Sequence, residues 1–186
     1  MNLLHIDSSI LGDKSASRAL SHEIVSRWQS AVPELGVSYL DLAANPISHL
    51  GTAAPAERDA RVLEEFLRAD VIVIGAPMYN FGLPSQLKAW IDRVLVAGKT
   101  FRYTAAGPIG LAGGKRVIVA LSQGGVLQPG DAGEHVETYL RHVLQFVGIT
   151  DVTFVRAKGL AFSPESRQTG LDAALASIPA PRALVA

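Results

Sequence analysis

Three short stretches of this chain carry the side chains best suited to chemistry, and each joins an apolar run to a helical pattern or a glycine turn. The first is Ser8-Ser-Ile-Leu-Gly-Asp-Lys-Ser-Ala-Ser17. A helix start leaves backbone N–H groups unpaired and carries about half a positive charge, so it attracts a phosphate, and hydroxyls at Ser9, Ser15 and Ser17 add donors without a lysine. Ser15 or Ser17 also suits a plain helix N-cap. The second stretch, Ala76-Pro-Met-Tyr-Asn-Phe81, offers a thioether, a phenol, an amide and a phenyl ring in succession, a mixture that suits a flat ring with polar edges. The third is Ser122-Gln-Gly-Gly125, where two glycines let a ligand approach the backbone and meet the N–H groups of Gly124 and Gly125.

Other chemistries find little support. The chain has no cysteine, which removes disulfides, zinc thiolates and a cysteine nucleophile. None of its five histidines pairs at His-x-x-x-His spacing, and His135 and His142 are seven apart, so no metal site is expected. Ser122 lacks a Gly-x-Ser-x-Gly setting, no Gly-x-Gly-x-x-Gly follows the first strand, and Gly114-Lys115 runs into Arg116 rather than Ser or Thr. An esterase, a dinucleotide-fingerprint dehydrogenase and a P-loop enzyme are therefore disfavoured. Asp7, Asp92 and Arg93 read as local partners, and Trp28 and Trp90 as packing residues.

The elements that must position the three stretches follow from periodicity. Strands are expected at Asn2–Asp7, Gly36–Leu42, Val71–Ile74, Lys115–Leu121 and Asp151–Arg156. Helices are expected after Ser17, from about Pro55 to Ala69, along Leu83, Leu87, Ile91, Val94 and Leu95, along Val136, Leu140, Val143, Leu144 and Val147, and from Pro164, with Ser163 as its cap. Residues Ala97 to Gly114 read as a long glycine-rich excursion without structure of its own, carrying Phe101 and Tyr103. Alternating strands and helices imply a three-layer α/β domain with a parallel sheet, right-handed crossovers and the order 2-1-3-4-5, spanning residues 1–178 with a frayed tail at 179–186. In such a sheet all three stretches fall at the carboxyl end of the strands, where ligands bind.

The 186 residues are 48% apolar with a formal net charge of zero, so a sizeable core is possible and neither nucleic acid nor an anionic membrane is an expected partner. No run approaches about 18 uninterrupted apolar residues and no signal-peptide pattern opens the chain; the expectation is a soluble cytoplasmic protein.

With these residues in view, the chain resembles the FMN-dependent NAD(P)H azoreductases and quinone reductases of flavodoxin-like fold. The likeness rests on Ser8-Ser9 with Ser15-x-Ser17, Asp41-Leu-Ala-Ala-Asn-Pro46, Ala76-Pro-Met-Tyr-Asn-Phe81, Thr100-Phe-Arg-Tyr-Thr104, Ser122-Gln-Gly-Gly125 and Gly148-Ile-Thr-Asp151. It implies one FMN per subunit. The phosphate would rest on Ser9, Ser15, Ser17 and the backbone of Ala16, the isoalloxazine along Met78, Tyr79, Asn80 and Phe81, and its pyrimidine edge on Ser122, Gln123, Gly124 and Gly125. Phe81, Tyr103 and Phe146 would wall the acceptor pocket, with no side chain as nucleophile. The resemblance further implies a homodimer with sites at the subunit boundary and ping-pong reduction of quinones or aromatic azo compounds by NADH or NADPH. Two departures stand out: Ala16 replaces a residue that is often polar, and the segment from Ile47 to Arg61 is short. The neutral charge disfavours the alternative of a flavodoxin-like electron carrier, which steers partners with an acidic surface.

Overall fold

The strand Val71–Pro77 is buried at every residue, as a central strand must be when helices cover both faces of a sheet. The structure is a computed structural model that describes residues 1–51 and 57–182. In chain order its strands are β1 (Asn2–Asp7), β2 (Gly36–Asp41), β3 (Val71–Pro77), β4 (Phe101–Thr104), β5 (Gly107–Gly110), β6 (Arg116–Ser122) and β7 (Asp151–Ala157). The helices are α1 (Ala16–Ala31), α2 (Glu57–Arg68), α3 (Ser85–Val94), α4 (Val136–Phe146) and α5 (Pro164–Ala176). Five strands form one parallel sheet in the order β2-β1-β3-β6-β7, which is the expected 2-1-3-4-5 order with the hairpin strands left out of the count.

The two faces of the sheet separate cleanly because successive strand residues point in opposite directions. Leu3, Val71, Val73, Ile118 and Val155 pack under α1 and α5 with Leu20, Ile24, Trp28 and Ala174. Leu4, Ile6, Ile72, Ile74, Val117 and Val119 face α2, α3 and α4 through Phe66, Leu87, Trp90 and Leu140. Trp28 and Trp90 are both buried packing residues. The last helix begins as its sequence dictates: Ser163 Oγ accepts the Ser166 N–H at 3.1 Å and Pro164 takes the first turn.

The excursion after α3 differs from expectation. It folds as an antiparallel hairpin, β4 with β5, pairing Phe101 with Gly110 and Thr104 with Gly107. Gly107 has a φ of 114°, and Thr104 Oγ1 donates to the Gly107 carbonyl at 2.7 Å, closing the turn. Gly110 lies directly against the backbone of Val147 and Gly148, a contact that leaves no room for a side chain. Strands of four residues built on Gly-Pro-Ile-Gly have no apolar alternation to reveal them. The expected start of the second helix at Pro55 lies outside the described residues, as does the tail from 183; Arg182 remains tied to the sheet through its carbonyl, which accepts from Arg116 Nη1 at 3.1 Å.

Candidate cofactor site

The carboxyl ends of β1, β3 and β6 converge at the switch point of the sheet, where the crossovers part to opposite faces. Ser8 Oγ donates to the Gly75 carbonyl at 2.8 Å, and Met78 N–H donates to the Ser122 carbonyl at 2.8 Å, so the three loops are laced together below the rim. Above that, Ser9 Oγ and the Tyr79 phenol oxygen are 3.0 Å apart, and Ile10 N–H donates to the same phenol at 3.3 Å. Ser15 caps α1 by accepting the Arg18 N–H at 3.2 Å, leaving the N–H groups of Ala16 and Ser17 to face outward from the helix start.

A cleft of about 190 Å³ opens over this helix start, lined by Ser9, Ser15, Ala16, Met78, Tyr79 and Gln123 among others. A second, of about 440 Å³, continues from it along Met78, Asn80, Phe81, Gln123, Gly124 and Gly125, sharing Met78, Gln123 and Gly124 with the first. The narrower end has hydroxyls and helix N–H groups; the wider has a thioether, an aromatic ring and glycine backbone. That sequence of surfaces fits a phosphate, a polyhydroxyl chain and a flat ring in turn.

Local strain marks the wider cleft. Tyr79 and Gly82 exchange N–H···O bonds of 3.0 Å in both directions, and the two residues between them have positive φ, 50° at Asn80 and 66° at Phe81. Positive φ at both corners is the pattern of a type I′ turn, usually filled by Asn-Gly, and a phenylalanine at the second corner is strained. The strain presents the Phe81 ring at the cleft with 61% of its surface exposed. Across from it, Gln123 Nε2 donates to the Leu127 carbonyl at 2.8 Å while its Oε1 is buried with no partner. The carbonyls of Gly124 and Gly125 turn away to accept from Ala161 at 3.1 Å and Gly159 at 2.6 Å, whereas the N–H groups of these glycines meet no acceptor among the described residues. An orphaned amide oxygen beside two unused N–H donors matches the alternating donors and acceptors of a flavin's pyrimidine edge, so the residues present fit FMN.

The structure thus brings Ser9, Ser15, Ala16, Met78, Tyr79, Asn80, Phe81, Ser122, Gln123, Gly124 and Gly125 to one rim. Ser17 stands behind it: the residue is fully buried and its hydroxyl lies 3.1 Å from Ser15 Oγ, so its side chain does not reach the cleft, which Ser15 and Ala16 line. Tyr103 and Phe146 are not beside Phe81 within one chain. They flank Phe101, whose ring centroid is 5.5 Å from Tyr103 and 4.7 Å from Phe146, and this cluster seats the hairpin on α4. A residue with no sequence signal joins the site: Arg167 of α5 lines the narrow cleft and donates to the Lys14 carbonyl at 2.6 Å.

On the other side of the serine loop lies a larger hollow of about 710 Å³, bordered by Arg18, His22, Tyr39 and Asp41. It involves neither β3 nor β6, so it lacks the converging loops of the switch point. Arg18 grips Asp41 with hydrogen bonds of 2.8 and 2.7 Å, and this guanidinium holds the Asp41 carboxyl below its ordinary range. Asp7 is no local partner. It is fully buried and gathers Ser21 at 2.7 Å and Tyr39 at 3.1 Å. Burial would raise its carboxyl, but His5, Ser21 and Arg18 outweigh burial and keep it low; burial, with Asp7 and Asp41 adding to it, pushes the Tyr39 phenol up to about 12.

Comparison with known proteins supplies the family. A family model described as a flavodoxin-like fold matches residues 1–180. The FMN-dependent NADH:quinone oxidoreductase 2 of Bradyrhizobium diazoefficiens is 56% identical, covering 94% of this chain and 96% of that protein. The FMN-dependent NADH:quinone oxidoreductase of Stenotrophomonas maltophilia is 52% identical, covering 96% and 95%. Among solved structures, an azoreductase from Bacillus anthracis superposes with a TM-score of 0.85 at 26% identity, covering 96% of each chain. With a family model spanning nearly its whole length and relatives identical at more than half their positions, the chain belongs to the FMN-dependent NADH:quinone oxidoreductases of flavodoxin-like fold.

Proposed function

We propose that this chain reduces quinones, and aromatic azo compounds of similar shape, with NADH as donor and FMN held in the paired clefts. The observation that carries the reading is the buried, unpartnered Gln123 Oε1 opposite the strained Phe81 turn, a polar orphan and an aromatic wall on either side of a slot open to solvent. The chemistry supplied by FMN, when bound, is two-electron transfer between nicotinamide and acceptor.

The chain's own residues then have definable work. The N–H groups of Ala16 and Ser17 and the Ser9 hydroxyl bind the phosphate at the α1 start. Met78 and the Tyr79–Phe81 turn would lie along the ring. Gln123 Oε1 would accept from a ring N–H, and the N–H groups of Gly124 and Gly125 would donate to its oxygen or nitrogen edge, where preorganised donors stabilise negative charge. Phe81, 61% exposed, supplies an apolar wall against which a flat acceptor stacks.

We further infer a homodimer. Ile10, Leu11, Phe81, Tyr103, Val126 and Phe162 are all exposed on the single chain, and Leu11, Phe81 and Val126 line the paired clefts themselves. Covering them with a second copy would complete the acceptor pocket that Tyr103 and Phe146 leave open within one chain. Sedimentation of the FMN-loaded protein at a dimer mass supports this; a monomer at working concentration contradicts it. For the activity, steady-state rates at varied NADH and quinone are expected to give parallel double-reciprocal lines, the pattern of two substrates using one site in turn. Absence of FMN binding, or NADH oxidation that does not depend on the quinone, would defeat the assignment.

A further inference from the structure

His5 and Asp7 are two residues apart on β1 and share a face, and α1 crosses that face so that His22 comes down over both. His22 Nε2 lies 3.3 Å from Asp7 Oδ2 and His5 Nε2 lies 3.5 Å from the same oxygen. In a tetrahedral site with bonds of about 2.0–2.1 Å, neighbouring ligand atoms are about 3.3–3.5 Å apart, so both edges to Asp7 already have that spacing. The third edge, between the two histidines, is no longer than 4.8 Å and closes by movement of His22, whose side chain is 59% exposed.

Two further observations point to a ligand. His5 is 97% buried, being 3% exposed, and its Nε2 makes no well-formed hydrogen bond, its nearest acceptor being Asp7 Oδ2 itself at 3.5 Å, so this buried nitrogen is aimed at the carboxylate with no other group using it. The Asp7 carboxylate is meanwhile fixed at both oxygens, Oδ1 accepting from Ser21 Oγ at 2.7 Å and Oδ2, the oxygen that faces the histidines, from the Tyr39 hydroxyl at 3.1 Å, as supporting groups orient metal-bound carboxylates. Gly75 is required beneath it, because a side chain there would collide with Asp7 Oδ1. Arg18 approaches Asp7 Oδ2 to 3.7 Å but is committed to Asp41, and with neutral histidines the two carboxylates outweigh the one guanidinium. The outer side of His22 borders the 710 Å³ hollow, which gives an ion a path in and leaves a fourth position for water.

We propose that His5, Asp7 and His22 form a binding site for a divalent ion of the zinc class, tying α1 to β1 on the side of the serine loop away from the cofactor cleft. Two imidazoles and one carboxylate select zinc, cobalt, nickel or copper over magnesium and calcium. The test uses FMN-loaded protein, with Zn²⁺ followed by calorimetry and Co²⁺ by absorption on the long-wavelength side of the flavin bands. One Zn²⁺ per chain and an intense tetrahedral Co²⁺ spectrum are expected. His22→Ala and His5→Gln each weaken Zn²⁺ binding by at least about tenfold, while His142→Ala, exposed on α4, leaves it unchanged. Zn²⁺ also raises the thermal midpoint of the unsubstituted protein but not of His22→Ala. Because His22 is exposed, its alanine variant tests the site even if His5→Gln fails to fold. A weak octahedral Co²⁺ spectrum, or Zn²⁺ affinity equal in His22→Ala and the unsubstituted protein, would overturn the proposal.

Discussion

The Ser9 hydroxyl lies 3.0 Å from the Tyr79 phenol oxygen across 70 positions of sequence, and this bond closes the floor between the loop after β1 and the turn after β3. Tyr79→Phe removes it, together with the acceptor for Ile10 N–H. A neutral hydrogen bond contributes about 1 kcal/mol, so FMN affinity is expected to fall roughly fivefold, read by quenching of flavin fluorescence as apoprotein is titrated. An unchanged dissociation constant would separate the phenol from cofactor retention.

The Asn80–Phe81 turn trades stability for an exposed ring. Phe81→Gly places the residue preferred at positive φ in the second corner and relieves about 1 kcal/mol of strain, so the thermal midpoint should hold or rise. The same variant loses the apolar wall, and kcat/KM for a quinone should drop about tenfold, mainly through KM. A lower midpoint with undiminished turnover would contradict both halves.

Glu137 of α4 is buried and binds Arg156 at 2.6 and 2.8 Å and Arg141 at 2.8 Å. Burial would raise its carboxyl, but the two guanidiniums outweigh burial and hold it below the ordinary range; Asp41 is held low by Arg18. A carboxyl depressed in the folded state adds stability that is complete above its unfolded pKa, about 4, and lost as pH falls through the folded value. Urea midpoints should therefore decline below about pH 4. Glu137→Gln should flatten that decline and remove about 2–3 kcal/mol at neutral pH, less than a fully buried pair because both arginines reach solvent. Parallel pH profiles for the two proteins would refute the role.

Gly110 allows the hairpin to touch the chain at Val147 and Gly148. Gly110→Ala should lower stability by about 2–3 kcal/mol through overpacking against backbone and speed amide exchange at Arg102, Thr104 and Ile109, whose N–H groups point into the hairpin ladder. Exchange rates matching the unsubstituted protein would show that the hairpin is seated elsewhere.

Short-range physics made much of this molecule legible from its residues. The β-branched run Val71–Ile74 can only be a strand covered on both faces, the Ser163-Pro164 pair can hardly avoid starting a helix, and the alternation of such signals specifies the parallel sheet and the rim on which the three polar stretches fall. The hairpin escaped because Gly107–Gly110 has no apolar period. What periodicity cannot supply is which residues meet after the chain closes long loops. Packing turned the Ser17 side chain inward, kept Tyr103 and Phe146 with Phe101, and brought Arg167 to Lys14 across 153 positions. His5, Asp7 and His22 have no motif spacing, and only the crossing of α1 over β1 makes them a cluster. A residue's face follows from its neighbours in sequence; the partner that face meets follows from strand order and helix crossing, which depend on contacts summed over the whole chain.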